Sequence, residues 1–362
     1  MKEVLIGKKI VIFGVGDIGQ NLLQRLSHYA TCEILCFCDN NPCKQGGQER
    51  GKYILSPQEA VDRYADAYFV ITVINHTVAV TEQLLDMGVP QEQIIIFSGN
   101  DYIDEWDKKR QKKKETEYAE WCRKYNNRIK NLKGAFQGKR CFILGNGGSL
   151  TEKDLEKLTG EYTFGCNRLY KMYDRLSWRP VFYCFYDVQR VRKIKKDMTY
   201  ILENCEYLFT SSTIKDELDE AVIENPKTYF VHMQKDRYYP QLPRFSENVD
   251  QQVYDGQTVL YMATQIAVYL GFREIYYLGA DNHYSVELNR DGTIRRDSEM
   301  KDYPDGMGEI ELESSVIPQI ELTTMSFGAV KKYADAHGIR VFNATRGGKL
   351  DVFDRVDFDS LF

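Results

Sequence analysis

Apolar positions in this chain come in short runs separated by polar, helix-patterned stretches, and the alternation starts twice. In residues 1–100 the runs "KIVIFGVG", "EILCFCDN", "AYFVITVI" and "QIIIF" are β-branched and bounded by turn residues, which predicts strands. Between them "IGQNLLQRLSHY", "SPQEAVDRY" and "TVAVTEQLLDMG" carry helical spacing. Ser56 is placed to cap the second, with Pro57 at its first position, and Gly88 ends the third. From residue 138 the pattern restarts with "KRCFILGNGG", "YTFGCNRLY", "PVFYCFYDV", "YLFTSS", "TYFVHM", "EIYYLGAD" and "IRVFNAT", with helices expected at 151–159, 214–223, 258–270 and 319–337. Such alternation implies a parallel sheet with helices on its faces. Residues 101–137 break the pattern: charge is dense, and Trp106, Tyr118, Trp121, Tyr125 and Ile129 fall partly at helical spacing. The expected architecture is α/β, with two Rossmann-like parallel-sheet domains, 1–100 and 138–362, joined by a charged helical linker, 101–137. The stretch 285–318, rich in charge, Gly and Pro, shows no clear strand and reads as a lid or acceptor-binding loop.

Composition narrows the classes. The 362 residues are 43% hydrophobic and 28% charged, ordinary for a globular protein, and the length suits two domains. A net charge of -5 argues against nucleic acid as a partner. There is no run of 18 apolar residues, and the N-terminal apolar stretch is too interrupted for a signal peptide. With nine cysteines, an odd number, this points to a cytoplasmic chain with free thiols. Cys32, Cys36, Cys38 and Cys43 cluster without the C-x-x-C spacing of a zinc site, so small buried thiols are expected. The basic run Lys108–Lys114 is flanked by acids and reads as a solvated helix face, with contact to anionic lipid or nucleic acid as the alternative.

Two strands stop at glycine-rich turns that enter helices, a backbone form that cradles phosphate. The first carries Gly14, Gly16 and Gly19 as G-x-G-x-x-G, with Asp39 at the end of the next strand, where a ribose-binding acid belongs. NAD or another nucleotide is the candidate ligand, and a docking domain that keeps its glycines for turn geometry is the alternative. The second turn, Gly145, Asn146, Gly147, Gly148 and Ser149, follows "CFIL". Ser149 with Glu152 and Thr151 with Asp154 both fit a capping box, so free N–H groups and a positive helix end would face an anion. No Walker A Lys-[Ser/Thr] follows. Asn167, Asp187, Thr258, Asp281 and His283 gather just past strand ends or at a helix start, where ligands bind in open parallel sheets.

The first 100 residues, in "IFGVGDIG", "CFCDNNPCKQG" and "ILSPQEA", resemble the small nucleotide-binding domains appended to bacterial sugar-modifying enzymes. Residues 138–362, in "GNGGSL", "FGCNRLY", "TVLYMATQIAVYLGFREIYYLGAD" and "NATRGGKLDVFDRVDFDSLF", resemble a bacterial family grouped with the archaeal 6-hydroxymethylpterin diphosphokinases. That family is related to sialyltransferases that use CMP-sialic acid and to flagellin-modifying nonulosonate transferases. The resemblance implies that Gly145, Asn146, Gly147 and Ser149 hold a nucleotide's phosphate and ribose. It implies that Asn167 contacts donor phosphate and that Thr258 lies near base or ribose. Cys184 stands where the sialyltransferases have a second asparagine, and 285–336 lacks their base histidine, leaving His283 as the nearby candidate.

The expected activity is glycosyl transfer from a nucleotide-activated, CMP-linked acid sugar to a glycan or small-molecule acceptor, in surface polysaccharide or glycoconjugate synthesis, with no cofactor required. His283 would be the general base, against a plain surface histidine. Asp281 would bind Mg²⁺, bond a ribose, orient His283 or cap the strand end, and Asp187 would bind metal or acceptor or simply close a turn. The alternatives are Mg²⁺-dependent diphosphate transfer to a pterin-like hydroxyl, with Asp187 and Asp281 as ligands, and a non-catalytic nucleotide-binding scaffold. A homo-oligomer remains open.

Overall fold

The computed structural model describes residues 5–29, 32–73, 76–97, 105–235, 239–289, 293–305, 307 and 319–362. The chain forms two compact units, residues 1–112 with 286–296, and residues 113–285 with 297–362. Both are α/β, built on largely parallel sheets, as the alternation predicts.

In the first unit the order is β1 (Lys9–Phe13), α1 (Asp17–Tyr29), β2 (Glu33–Cys38), β3 (Gln48–Glu49), β4 (Lys52–Leu55), α2 (Pro57–Arg63), β5 (Tyr68–Ile71), α3 (Thr77–Asp86) and β6 (Ile94–Ile96). The sheet runs β3-β4-β2-β1-β5-β6, parallel except for the β3–β4 edge. β1 is continuously apolar because helices cover both faces of the sheet: Val11 and Phe13 pack with Cys36, Cys38 and Ile71, while Ile10 and Ile12 pack with Leu22 and Leu26. α2 starts on the expected capping box, in which Ser56 Oγ accepts from Glu59 N at 3.2 Å and Glu59 accepts from Ser56 N at 3.0 Å.

The stretch expected to lack strands contains a hairpin. β15 (Val286–Leu288) pairs antiparallel with β16 (Ile294–Arg296). Its sequence signal is the Asp291-Gly292 pair, with the alternating triplet Val286-Glu287-Leu288 before it. The rest of that stretch, 308–318, and with it any lid there, lies outside the described residues.

α4 (Glu105–Lys130) is the charged helix, and the division between units falls within it, at 112/113. Its later turns pack within the second unit. Trp121 meets Phe230 edge-on at 4.4 Å, Cys122 Sγ donates to Phe230 O, and Ile129 is buried. That seam, sparse but at helical spacing, explains why so polar a helix forms here. Lys112 and Lys113 are exposed.

The second unit continues with β7 (Arg140–Leu144), α5 (Glu152–Glu156), β8 (Thr163–Cys166), β9 (Phe182–Phe185), α6 (Val188–Ile194), α7 (Met198–Glu203), β10 (Tyr207–Ser211), α8 (Glu220–Ile223), β11 (Thr228–Val231), β12 (Met233–Gln234), β13 (Val253–Tyr254), α9 (Val259–Leu270), β14 (Glu274–Leu278), α10 (Ile320–His337), β17 (Arg340–Asn343) and β18 (Asp354–Arg355). The main sheet is parallel throughout, in the order β11-β10-β9-β8-β7-β14-β17-β18. Strand order reverses between β7 and β14, as it does between β1 and β5 in the first unit. Each glycine turn therefore sits at a topological switch point, where open α/β sheets form their crevice. α9 is buried almost all round. Its Gln265 is fully hydrogen-bonded, accepting from Ser246 N and Tyr254 N and donating to Tyr254 O and Tyr261 O. Among the described residues no helix is long and apolar enough to cross a membrane.

Candidate functional site

β7 ends at Leu144, and the turn after it is shaped by close backbone approach. Gly145 N donates to Leu278 O and Gly147 N to Gly279 O, sewing the turn to the end of β14. A Cβ at Gly145 would lie 2.1 Å from Gly279 O, and one at Gly147 would lie 2.4 Å from Asp281 Cγ, so both positions require glycine. Ser149 is not free for a ligand as the sequence suggested. Its N–H donates to Asp281 Oδ2 at 3.0 Å, and its hydroxyl donates to Asp281 Oδ1. An internal carboxylate thus fills part of the anion seat. Thr151, not Ser149, caps α5, accepting from Asp154 N at 3.1 Å. Among the described residues, the N–H groups of Asn146 and Gly148 make no hydrogen bond.

The cleft at this switch point encloses about 970 Å³, open solvent included. Gly145, Asn146, Gly147, Asn167, Thr258, Asp281 and His283 all line it; Gly148, Ser149 and Asp187 do not. Asn146 Nδ2 donates to Cys166 O at 3.0 Å, which fixes the amide and leaves Oδ1 buried with no partner. A buried acceptor of that kind needs a donor. Asn167 adopts the left-handed conformation at φ 47°, which asparagine tolerates, and its backbone O accepts from Tyr183 Oη at 2.9 Å. Thr258 caps α9, accepting from Leu260 N at 3.3 Å, so the N-terminus of a twelve-residue helix opens onto the cleft.

Past β14 the chain is pinned from several sides. Ala280 N donates to Thr345 Oγ1, Lys349 N to Asp281 O, and Asn282 Nδ2 to Thr324 Oγ1. This holds His283 and Tyr284 in the cleft wall. Asp302 accepts from both Ser285 N and Ser285 Oγ, so both cleft-lining carboxylates, Asp281 and Asp302, are engaged by serines. Burial pushes the Tyr284 phenol up to about 12. Asp187 is exposed and caps α6, accepting from Arg190 N at 2.8 Å. Asp281, the other candidate metal ligand, lines the cleft without it. The donor set thus does not fit the Mg²⁺ site expected of these two acids.

Two cations that sequence reasoning passed over also line the cleft. Arg168 is buried, donates to Met307 O at 3.3 Å and stacks on Tyr303 at 4.9 Å; Arg190 lies in the first turn of α6. Arg168 directly follows Asn167 in "FGCNRLY", which was the available signal. The assembled site is an unpartnered acceptor, a helix N-terminus, two guanidinium groups and a histidine, with its acids tied up. It can hold a hydroxyl-bearing anion.

The first turn uses its glycines differently. Gly14 has φ 102°, and a Cβ at Gly19 would lie 2.0 Å from Gly14 O, so both serve turn geometry. Gly16 faces open space. Asp39 accepts from Val15 N at 3.1 Å and Asn41 N at 2.9 Å, with Lys44 at 3.4 Å, so a ribose would have to share its carboxylate with the turn. Open backbone at Gly16 fits a nucleotide, and the occupied Asp39 fits it less well.

With this geometry in hand, sequence comparison adds the lineage of each half. Residues 116–287 match the family described as 6-hydroxymethylpterin diphosphokinase MptE-like, and residues 6–95 match the family described as C2185-like, N-terminal. No curated protein matches the chain. Among solved structures, the chain is similar to the MAf glycosyltransferase from Magnetospirillum magneticum AMB-1, with 14% identity, TM-score 0.43 and 98% of this chain covered. It spans only 58% of that protein's length. The chain is also similar to the Campylobacter jejuni sialyltransferase CstII in complex with CMP-3FNeuAc, with 14% identity and TM-score 0.35 over 60% of this chain and 86% of that one. A quarter of the chain, 25%, is similar to UDP-D-quinovosamine 4-dehydrogenase from Vibrio fischeri, with 17% identity and TM-score 0.23 over 79% of that chain. Likenesses this distant carry no conclusion about activity.

Proposed function

We propose that the chain is a transferase that uses a nucleotide-activated sugar, its donor a CMP-linked acid sugar. The observation that carries the reading is the buried, unpartnered Oδ1 of Asn146 in a cleft also lined by the α9 N-terminus, Arg168 and Arg190. An acceptor flanked by cationic groups suits a ribose hydroxyl next to a phosphate. In this reading Asn146 accepts from the ribose, and Asn167, Arg168 and the helix end hold the departing phosphate. His283, in the cleft wall, takes the proton from the acceptor hydroxyl as that oxygen attacks the anomeric carbon. Gly145 and Gly147 keep the turn close to β14, and Ser149 and Asp281 brace it. Holding the leaving phosphate in place stabilises the charge that develops as the glycosidic bond breaks.

The test is calorimetric titration of the intact chain with CMP, CDP and ATP, each with and without a chelator. We expect CMP to bind with no dependence on the chelator. His283→Ala should abolish turnover and leave nucleotide affinity within about twofold, since the imidazole acts on the acceptor. Unchanged turnover in that variant removes His283 as the base.

The match of 116–287 to a diphosphokinase family keeps one other reading open, diphosphate transfer to a pterin-like hydroxyl. It predicts ATP binding that collapses with the chelator, and such a result would replace the glycosyl-transfer reading. For the first glycine turn we propose a regulatory nucleotide seated at Gly16. Titration with NAD, and loss of any binding in a Gly16→Val variant, tests it.

A further inference from the structure

The opposite edge of the second unit's sheet carries a feature that neither the sequence motifs nor the cleft explains. At the N-terminal ends of β7, β14 and β17, three adjacent parallel strands, a shallow pocket is lined by Lys139, Arg140, Arg273, Glu274 and Arg340 with two glycines. Four cations against one acid give this small surface a net charge of +3 in a chain whose overall charge is -5. The concentration is therefore local and not a by-product of composition.

Register explains how the charges meet. Glu274 pairs with Arg140 on one side and Arg340 on the other, so these three residues share one rung. Arg340 is bound to Glu274, whose other oxygen accepts from Tyr276 Oη at 2.7 Å. Arg140 is held by Glu161 through two hydrogen bonds, the longer 3.1 Å. The preceding rung brings Lys139 and Arg273 together, with Arg273 N donating to Lys139 O at 3.2 Å. Among the described residues neither Lys139 nor Arg273 has an acid within ion-pair distance. Two uncompensated cations thus stand beside two that are already oriented by carboxylates.

We propose that this pocket is a second anion site that binds a phosphate group, with Lys139 and Arg273 as its main contacts. Arginine and lysine side chains both donate to phosphate oxygens, and the shallow, open form admits a headgroup as well as a free ion. The shared chemistry is the terminal phosphate. Its source is either a small phosphorylated metabolite or an anionic lipid surface.

The experiment uses the intact chain. Inorganic phosphate is titrated by calorimetry, and co-sedimentation is measured with vesicles of phosphatidylcholine containing one-fifth phosphatidic acid. Each is repeated with a Lys139→Ala, Arg273→Ala double variant and, separately, with Asn167→Ala to disable the cleft. We expect at least one probe to bind the wild type and the double variant to lose roughly a hundredfold in affinity at this pocket, since each of the two lost charge-assisted contacts is worth about one order of magnitude, while Asn167→Ala removes only phosphate bound in the cleft and keeps this second site. Binding of phosphate assigns the site to a soluble ligand, and binding of vesicles alone assigns it to a lipid surface. The proposal is overturned if neither probe binds, if the double variant binds as wild type, or if only Asn167→Ala abolishes binding. Both substitutions are at strand-end surface positions. A far-ultraviolet circular dichroism melt of the double variant establishes that lost binding is not lost folding.

Discussion

At the scale of single residues, the cleft depends on atoms that are absent as much as on those present. Gly147 has no room for a Cβ because the Asp281 carboxylate, bonded to Ser149, lies against it. Gly147→Ala should therefore cost about 2 kcal/mol or more and weaken nucleotide binding together with stability, measurable as a lowered urea midpoint. Cysteines supply a second residue-scale test. All nine are free, and burial pushes Cys36, Cys122 and Cys205 up to about 12 while Cys43 is exposed. A thiol reagent under native conditions should label Cys43 first and leave the buried set protected until unfolding. The same burial gives stability a pH dependence. Those thiols stay protonated in the fold after the unfolded chain would ionise them. Their contribution is full below the ordinary thiol range and is lost as pH rises toward about 12, so the urea midpoint should fall between about pH 8 and about pH 10.5. These residue-level features were only partly legible. Glycine spacing and Asn167 could be read from the motif, but the Ser149–Asp281 pair spans 132 positions and no local pattern announces it.

At the scale of elements, α9 is the piece on which the second unit turns. Its N-terminus faces the cleft at Thr258, and its middle is stitched to the segment before it by Gln265. Gln265→Leu would leave the N–H groups of Ser246 and Tyr254 buried without an acceptor. The expected loss is about 2–5 kcal/mol by chemical denaturation, against about 1 kcal/mol for Thr258→Ala, which removes only a cap. Helix α9 was readable because its apolar run begins at a threonine and ends before Gly271, which has φ 102°. Short elements were not: α6, α7 and the β15–β16 hairpin are too brief for periodicity to declare itself, and Asp187, a ligand candidate by sequence, caps α6.

At the scale of the whole molecule, every cleft residue belongs to the second unit. Gly14→Ala would put a Cβ 2.8 Å from Val73 Cγ1 at a φ of 102°, straining the first unit alone. We expect that variant to show an earlier unfolding transition for the first unit while CMP titration of the folded protein is unchanged. A loss of CMP binding would mean that the first unit supports the cleft. By itself the sequence determined the α/β class, the double restart of strand and helix, and the strand-end positions of the site residues. Those follow from hydrophobic period, turn chemistry and capping, which act over a few residues at a time. Only the tertiary structure decided which strand ends meet. The order of strands in the sheet brought β7, β8 and β14 together around Asn146, Arg168 and His283 and left Asp187 outside. It also gathered Lys139 and Arg273, 134 positions apart, onto one edge. Strand order is set by packing across the whole sheet, a long-range choice that no local pattern encodes.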